Sequence, residues 1–156
     1  MSRNILGLDK KETENLAEKL NGLLANFQIY YQNLRGLHWN IKGKNFFELH
    51  LKFEEFYTDS QVKIDEIAER ILTLQGKPLH TFEDYINLAT VPVGKDISND
   101  VESVKLVVSS LSELLKIERI ILEISDETND EGTNSMMSNF IAEQEKTIWM
   151  LSSWLG

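Results

Sequence analysis

Apolar residues recur every three or four positions along most of this chain, which is the pattern of amphipathic α-helices. Four long segments carry it, at about 9–40, 46–75, 98–124 and 133–156. A shorter amphipathic piece, 82–88, lies in the connection between the second and third segments. The pattern therefore predicts an all-α protein with four long helices and one short one.

Local signals place the ends of the first two helices. Asp9 and Glu12 have the D-x-x-E spacing of a capping box, which predicts that the first helix begins there. Gly76, followed by Pro78, predicts the end of the second helix. The polar turn 40–45 is short, so the first two helices form an antiparallel hairpin.

The connection 77–97 is too long for a tight hairpin and holds both prolines of the chain. Two helical hairpins joined by a long crossover describe the ferritin-like four-helix bundle. The predicted fold is this bundle with a short extra helix in the crossover between helices two and three. At 156 residues the chain is expected to form a single domain, 1–156.

Composition restricts the chemistry, the location and the binding partners that are expected of the protein. Cysteine is absent, which excludes disulfides and thiolate metal sites. The N-terminus has no apolar signal region, and no apolar run reaches the length of a membrane span. The expected location is the cytoplasm, with no membrane contact. A net charge of −9 argues against general affinity for DNA or anionic membranes.

The candidate chemistry lies in residues 38–69, which contain two of the three histidines of the chain. The side chains of interest are His38, His50, Glu54, Asp65 and Glu69. Imidazole together with carboxylate suits iron, zinc or manganese, and a carboxylate-rich set favours iron or manganese. The segment is therefore a candidate metal site.

The spacing of these residues on the second helix implies two chains. His50 and Glu54 share one face of a helix, as do Asp65 and Glu69. His50 and Asp65, however, are separated by about 22 Å along the helix axis, so one metal cannot reach both pairs. A two-fold related copy running antiparallel brings its Asp65 and Glu69 opposite the histidines. An isologous dimer forms two such sites at once.

Two stretches carry a resemblance to a known family. LHWNIKGKNFFELH at 37–50 and DEIAERI at 65–71, with Gly76 and Pro78 beyond, resemble the signature of the Dps family of mini-ferritins. The similarity extends over about residues 10–155. It implies a hollow dodecamer, built from two-fold dimers, that oxidises Fe(II), usually with hydrogen peroxide. Such a cage stores ferric mineral and protects against oxidative damage.

The resemblance also implies roles for individual residues. His38 and His50 match the histidine ligands of the family's ferroxidase centre, and Asp65 and Glu69 match the carboxylates that the two-fold partner supplies. Glu54 stands where the family usually has Asp, which puts its reach to the metal in question. Trp39 matches a tryptophan beside the centre, where it could donate electrons. The lack of histidine in 98–156 disfavours larger ferritins, whose ligands lie within one bundle.

An acidic segment without Lys or Arg precedes and opens the last helix. It contains Glu123, Asp126, Glu127, Asp130 and Glu131. Most such runs are solvated surface. The resemblance implies that this part of the chain lines a three-fold pore, where Glu127, Asp130 and Glu131 attract Fe(II).

Simpler interpretations stay open for each residue. The histidines could be hydrogen-bonded packing residues, Trp39 could serve packing alone, and His80 is expected to be an exposed loop residue. Asp65 and Glu69 could lie on a solvated face that also carries a Glu66–Arg70 ion pair.

Two other functions compete with the ferroxidase. One is a non-enzymatic architectural protein that binds DNA or a surface and uses metal only for stability; the other is a bundle without metal. Basic and acidic residues balance in 1–15, which predicts weak or absent DNA binding.

Overall fold

A computed structural model describes residues 2–156, and five α-helices account for most of them. The helices are α1 (Lys10–Asn40), α2 (Phe46–Thr73), α3 (Phe82–Leu88), α4 (Asp100–Glu127) and α5 (Glu131–Leu155). The all-α prediction is confirmed, and the short helix in the crossover has the expected bounds. None of the described helices is both long and apolar enough to cross a lipid bilayer.

The four long helices form the expected bundle. α1 packs along α2, α4 packs along α5, and α1 also contacts α4 and the crossover helix α3. The apolar stripe of α1 supplies much of the core. Seven apolar residues that recur at this spacing are all buried, namely Leu16, Leu20, Leu23, Phe27, Tyr30, Leu34 and Leu37. The recurrence of apolar residues every three or four positions thus identifies the buried face of α1 correctly.

Side-chain caps set where the helices begin. The carboxylate of Asp9 accepts hydrogen bonds from the backbone N–H groups of Lys11 and Glu12, as its capping position requires. α5 begins at Glu131 rather than near Thr133, because Asp130 accepts a hydrogen bond from the Thr133 backbone N–H and caps the helix two residues earlier than expected.

The expected role of Gly76 as the stop of α2 is wrong in detail. The helix already ends at Thr73, and Gln75 adopts the left-handed conformation with φ of 69°. Gly76 instead allows the chain to pass close to α1. A Cβ atom there would lie 2.7 Å from the Cβ of Ala17 and 3.0 Å from Cγ2 of Ile71. The glycine is needed for packing.

We expect Gly76→Ala to lower the free energy of unfolding by about 1–3 kcal/mol, because overpacking forces α1 and the crossover apart. A matched control is Gly22→Ala in the middle of α1, where nothing lies within 4 Å of the added Cβ. Removing that glycine should raise helix stability by up to about 1 kcal/mol. Thermal denaturation followed by circular dichroism compares the two. Equal shifts in the two variants would contradict the packing role.

Three asparagines of α1 hold the long crossover against the bundle. They are Asn21, Asn26 and Asn33. Their side-chain oxygens accept backbone N–H groups of the crossover, from Leu79, Thr90, Val91 and Gly94. The parts of the crossover outside α3 have no regular structure, so their backbone N–H groups need other hydrogen-bond partners, and these side-chain amides supply them. They fix the path that carries α3 along α1.

A polar pair lies inside the bundle. Glu118 of α4 is 0% exposed, and Gln144 of α5 donates a hydrogen bond of 2.8 Å to its Oε2 atom. Burial raises the pKa of Glu118 to about 8, while the bond from Gln144 and the charges of Lys63 and Arg119 act to lower it. The Oε1 atoms of Glu118 and Gln144 have no protein partner. A protonated Glu118 therefore fits this environment, since its O–H supplies a donor.

Candidate metal centre

The two candidate histidines come together where α1 ends and α2 begins. His38 lies in the last turn of α1 and His50 in the second turn of α2. Their rings stack, with centroids 3.7 Å apart and planes inclined by 12°. The short turn 41–45 folds the hairpin tightly enough to bring residues twelve positions apart into contact. The two histidines, twelve positions apart in the sequence, are therefore adjacent in the structure.

Each histidine is oriented by the backbone of the other. Nδ1 of His38 lies 2.6 Å from the carbonyl oxygen of His50, and Nδ1 of His50 lies 2.7 Å from that of His38. A carbonyl oxygen only accepts, so both Nδ1 atoms carry the proton. The carbonyl of His38 is available because the last four carbonyls of a helix lack intrahelical partners. Both Nε2 atoms keep their lone pairs for a metal ion.

Aromatic side chains of α2 enclose the histidine pair. The ring of Phe46 stacks on His50 at 4.9 Å, and the ring of Tyr57 meets His38 edge-on at 5.4 Å. These contacts restrict rotation of both imidazoles in addition to their hydrogen bonds. Neither Phe46 nor Tyr57 is predicted from the sequence as part of the site. A signal was present for both, because they lie four positions before and seven after His50 on the same helix.

Glu54 lies one turn beyond His50 on α2 and is exposed in the protomer. The hydroxyl of Tyr57 is 3.4 Å from its Oε1 atom, a long hydrogen bond in which the phenol donates. Desolvation, then the charge and hydrogen bond of Glu54, raise the pKa of Tyr57, so the phenol keeps its proton. The carboxylate thus stands beside the histidine pair with most of its acceptor capacity available.

Asp65 and Glu69 lie farther along α2, and both are exposed. Within residues 2–156 of one protomer, no three histidine, aspartate or glutamate side chains lie close enough together to hold a metal ion. One protomer therefore carries the histidines with Glu54 at one end of α2 and the carboxylate pair toward the other end.

An exposed apolar stripe accompanies these carboxylates. It consists of Phe47, Leu51, Val62 and Leu72, all large apolar side chains of α2 that face outward. At 100° per residue, these four positions and Glu54, Asp65 and Glu69 fall within an arc of about 80°. Phe47 alone is 84% exposed in the protomer. The carboxylates and the apolar residues thus share one unpaired face of α2.

Trp39 does not pack in the bundle core. It is 56% exposed, and its ring is 4.9 Å from Cζ of Arg35, a cation–π contact. His80 is exposed in the loop before α3, as expected from the sequence. Its Nδ1 lies 3.1 Å from the carbonyl oxygen of Pro78.

The acidic segment divides into two kinds of residue. Glu127 and Glu131 are exposed, whereas Asp130 is 2% exposed and lies 2.6 Å from Nη2 of Arg70. The expected Glu66–Arg70 ion pair is therefore wrong, because Arg70 reaches across to the start of α5. Gly132 leaves room for this contact, since a Cβ there would lie 2.7 Å from the guanidinium. Asp130 acts as a helix cap and an ion-pair partner.

The chain is similar to known proteins in sequence. Residues 17–156 match the model of the family described as Ferritin-like domain. A curated relative, the DNA protection during starvation protein of Porphyromonas gingivalis, is 42% identical over 150 residues, which covers 96% of this chain and 94% of that protein.

Solved structures resemble the chain over nearly its whole length. A Dps protein from Vibrio cholerae O1, described as a member of a broad superfamily of ferritin-like diiron-carboxylate proteins, shares 52% identity with a TM-score of 0.98, covering 100% of this chain and 98% of that one. A Dps protein from Bacillus brevis shares 34% identity with a TM-score of 0.91, covering 94% and 98%.

Proposed function

This chain belongs to the Dps family of ferritin-like proteins, and we propose that it is a ferroxidase that oxidises Fe(II) and stores the ferric product. The histidine pair carries this proposal. Reciprocal bonds to the backbone hold His38 and His50 in the tautomer that leaves both Nε2 atoms ready to bind metal. Histidines that served packing alone would not need Nε2 atoms with free lone pairs beside an exposed carboxylate.

The proposed site lies between two subunits. The apolar stripe of α2 is exposed in the protomer, and antiparallel packing of two α2 helices would bury it. The same packing brings Asp65 and Glu69 of the partner subunit toward the first subunit's His38. The stripe supports this arrangement because the apolar residues and the carboxylates occupy one face. Each dimer then contains two equivalent sites.

The donor set fits iron as a substrate. Imidazole nitrogens bind Fe(II) well, while three carboxylates stabilise Fe(III) over Fe(II), which favours oxidation. Two ferrous ions supply the two electrons that reduce hydrogen peroxide to water, with uptake of two protons. The ferric ions then hydrolyse to an oxyhydroxide and release protons. Peroxide is the proposed oxidant. Trp39, exposed beside the site, is a proposed additional electron donor.

The proposed assembly is a homododecamer of two-fold dimers in the cytoplasm, where the mineral is held inside. Fe(II) is proposed to enter through acidic three-fold pores. Glu127 and Glu131 are suited to such a funnel because both are exposed. Asp130 is proposed to act on the pore indirectly. Its carboxylate pairs with Arg70 and caps α5, so it fixes where α5 begins.

Protection of DNA is proposed to be chemical, by removal of Fe(II) and peroxide. The net charge of −9 opposes direct contact with phosphates. A gel-shift assay at physiological salt is expected to show no stable complex with duplex DNA. A complex that persists there would favour the architectural function instead.

The test of the proposed function is anaerobic loading of the purified assembly with Fe(II), followed by peroxide. We expect rapid growth of the ferric absorbance and a soluble iron–protein complex of the same size as the assembly. Protein-free buffer and an equal concentration of serum albumin serve as controls. Oxidation no faster than in the controls, with iron precipitating, would contradict a ferroxidase.

A further inference from the structure

Residues 4–8, just before α1, form a tight turn with a fixed shape. The Oδ1 atom of Asn4 accepts hydrogen bonds from the backbone N–H groups of Leu6, at 2.9 Å, and Leu8, at 3.1 Å. The backbone N–H of Asn4 donates to the carbonyl oxygen of Leu8, and Gly7 turns the chain with a φ of 80°. Asparagine side chains commonly organise turns in this way. These hydrogen bonds define what we call the 4–8 turn.

The tip of the 4–8 turn is apolar and faces solvent. Ile5 is 87% exposed, more than any other large apolar side chain among residues 2–156, and Leu6 is also exposed. Because the turn is already ordered, insertion of its tip into a pocket would bury apolar surface without the entropy cost of ordering a loop. The turn is therefore suited to docking.

An apolar groove lies between α1, α4 and the crossover. Its volume is about 770 Å³, within the range of about 300–1,000 Å³ that is typical of binding pockets. The large apolar side chains that line it are Leu79, Leu88, Ile117, Ile120 and Ile121. Ile120 on one wall and Leu88 on the other are both exposed. The groove thus presents apolar surface that the protomer leaves uncovered.

The charges beside the turn and the groove are complementary. Arg3 precedes the turn, and Glu14 and Glu18 line the groove. All three are exposed, and none has an ion-pair partner within 4.0 Å among residues 2–156. Opposite charges at the rim of an apolar contact favour one orientation of docking. Three carboxylates and two ammonium groups line the groove, for a net charge of −1, namely Glu14, Glu18, Glu113, Lys19 and Lys77.

The turn and the groove lie toward the same end of the bundle. Gly7 and Leu8 share a surface pocket with Glu127 of the α4–α5 connection. The groove reaches this end as well, since Glu14 is in the second turn of α1 and Ile121 is within the last two turns of α4. The proposed function places this end at a three-fold axis. Two different surfaces that meet around such an axis form a heterologous contact that closes into a ring of three.

We propose that the 4–8 turn of each subunit inserts Ile5 and Leu6 into the groove of the next subunit around the three-fold axis. This inference rests on the proposed function, which supplies that axis. Insertion covers the exposed walls of the groove and brings Arg3 to its acidic rim. Each subunit gives one turn and receives one, so the three contacts hold the chains together beside the proposed pore.

The test uses the absence of cysteine, because any disulfide must then join introduced residues. Ile5→Cys is combined in one chain with Ile120→Cys, and in a second variant with Leu88→Cys on the opposite wall. The assembled variants are oxidised gently and separated on a denaturing, non-reducing gel. A disulfide requires Cα atoms about 4.4–6.8 Å apart, so it reports direct contact. We expect linked species of two and three chains, and none larger, for at least one of the two variants.

The matched control combines Ile5→Cys with Val101→Cys. Val101 is also an exposed apolar residue of α4, but it lies about 28 Å from Ile120 along the helix axis. We expect this pair to form at least about tenfold less of the linked species, because only a docked turn raises the effective concentration of one thiol near the other.

Each outcome decides the proposal. Linking of both groove variants no stronger than in the control would overturn it. A disulfide within one chain would place the turn in its own groove, and products limited to two chains would place the contact at a two-fold axis; both results would overturn it as well. Sedimentation velocity and Fe(II) oxidation of the wild type separate this inference from the proposed function. If an active cage forms and the groove variants do not link, only the contact of the turn fails. If the wild type forms nothing larger than a dimer, the cage and the inference fail together.

Discussion

Replacing Asp65 and Glu69 together by alanine is expected to slow peroxide-driven Fe(II) oxidation by at least about a hundredfold, since loss of even an outer partner of a metal ligand typically costs about 10–100-fold. Both residues are exposed in the protomer, so their removal should leave the bundle folded and the assembly intact. Stopped-flow absorbance measures the rate, and sedimentation velocity measures the assembly.

Mixing two inactive variants tests whether the site joins two chains. One variant carries His38→Ala and His50→Ala, and the other carries Asp65→Ala and Glu69→Ala. Each homodimer lacks a complete site. A mixed dimer keeps one complete site of its two, with histidines from one chain and carboxylates from the other. Co-refolding of equal amounts should therefore recover about a quarter of the wild-type rate if chains pair at random.

The matched control for the carboxylates is Glu66→Ala, which removes an exposed charge next to Asp65 on the same helix. Glu66 lies outside the apolar stripe, so we expect its loss to leave the oxidation rate within about twofold of the wild type. No recovery in the mixed sample, despite formation of mixed dimers, would rule out a shared site. Full activity of the Asp65 and Glu69 variant would rule out these residues as ligands.

Replacing Glu118 by glutamine is expected to make the protein more stable at alkaline pH, with little change at pH 5. The folded pKa of Glu118 is about 8 against an ordinary value of 4.5. Its contribution to stability is fully present below pH 4.5 and is lost as the pH rises toward 8, because only the unfolded chain releases the proton in that window. The loss is about 1.4 kcal/mol for each pH unit.

The neutral amide in Glu118→Gln keeps a carbonyl oxygen for the bond from Gln144 and supplies its own N–H donors. At pH 8.5 we therefore expect the variant to exceed the wild type by about 4 kcal/mol in free energy of unfolding. Thermal melts at several pH values measure the difference. Glu145→Gln, an exposed neighbour on α5, should show no comparable pH dependence. Parallel pH profiles for wild type and Glu118→Gln would show that Glu118 is ionised in the folded protein.

The sequence by itself determined the helices and their buried faces. The spacing of three to four residues depends only on which side chains are apolar. The buried apolar stripe of α1 can therefore be identified from the order of residues in that helix alone. The candidate residues also follow from spacing, since His50 and Glu54, or Asp65 and Glu69, are neighbours on any α-helix. The same arithmetic along the helix axis indicated that the two pairs belong to different chains.

Only the tertiary structure decided which distant groups meet. The reciprocal bonds between His38 and His50 depend on the angle of the hairpin, and the partner of Arg70 proved to be Asp130, sixty residues away. The close approach at Gly76, the burial of Glu118 and the contact of Tyr57 with His38 are of the same kind. Helical periodicity describes one helix at a time, whereas these contacts depend on how two helices pack, which no local pattern specifies.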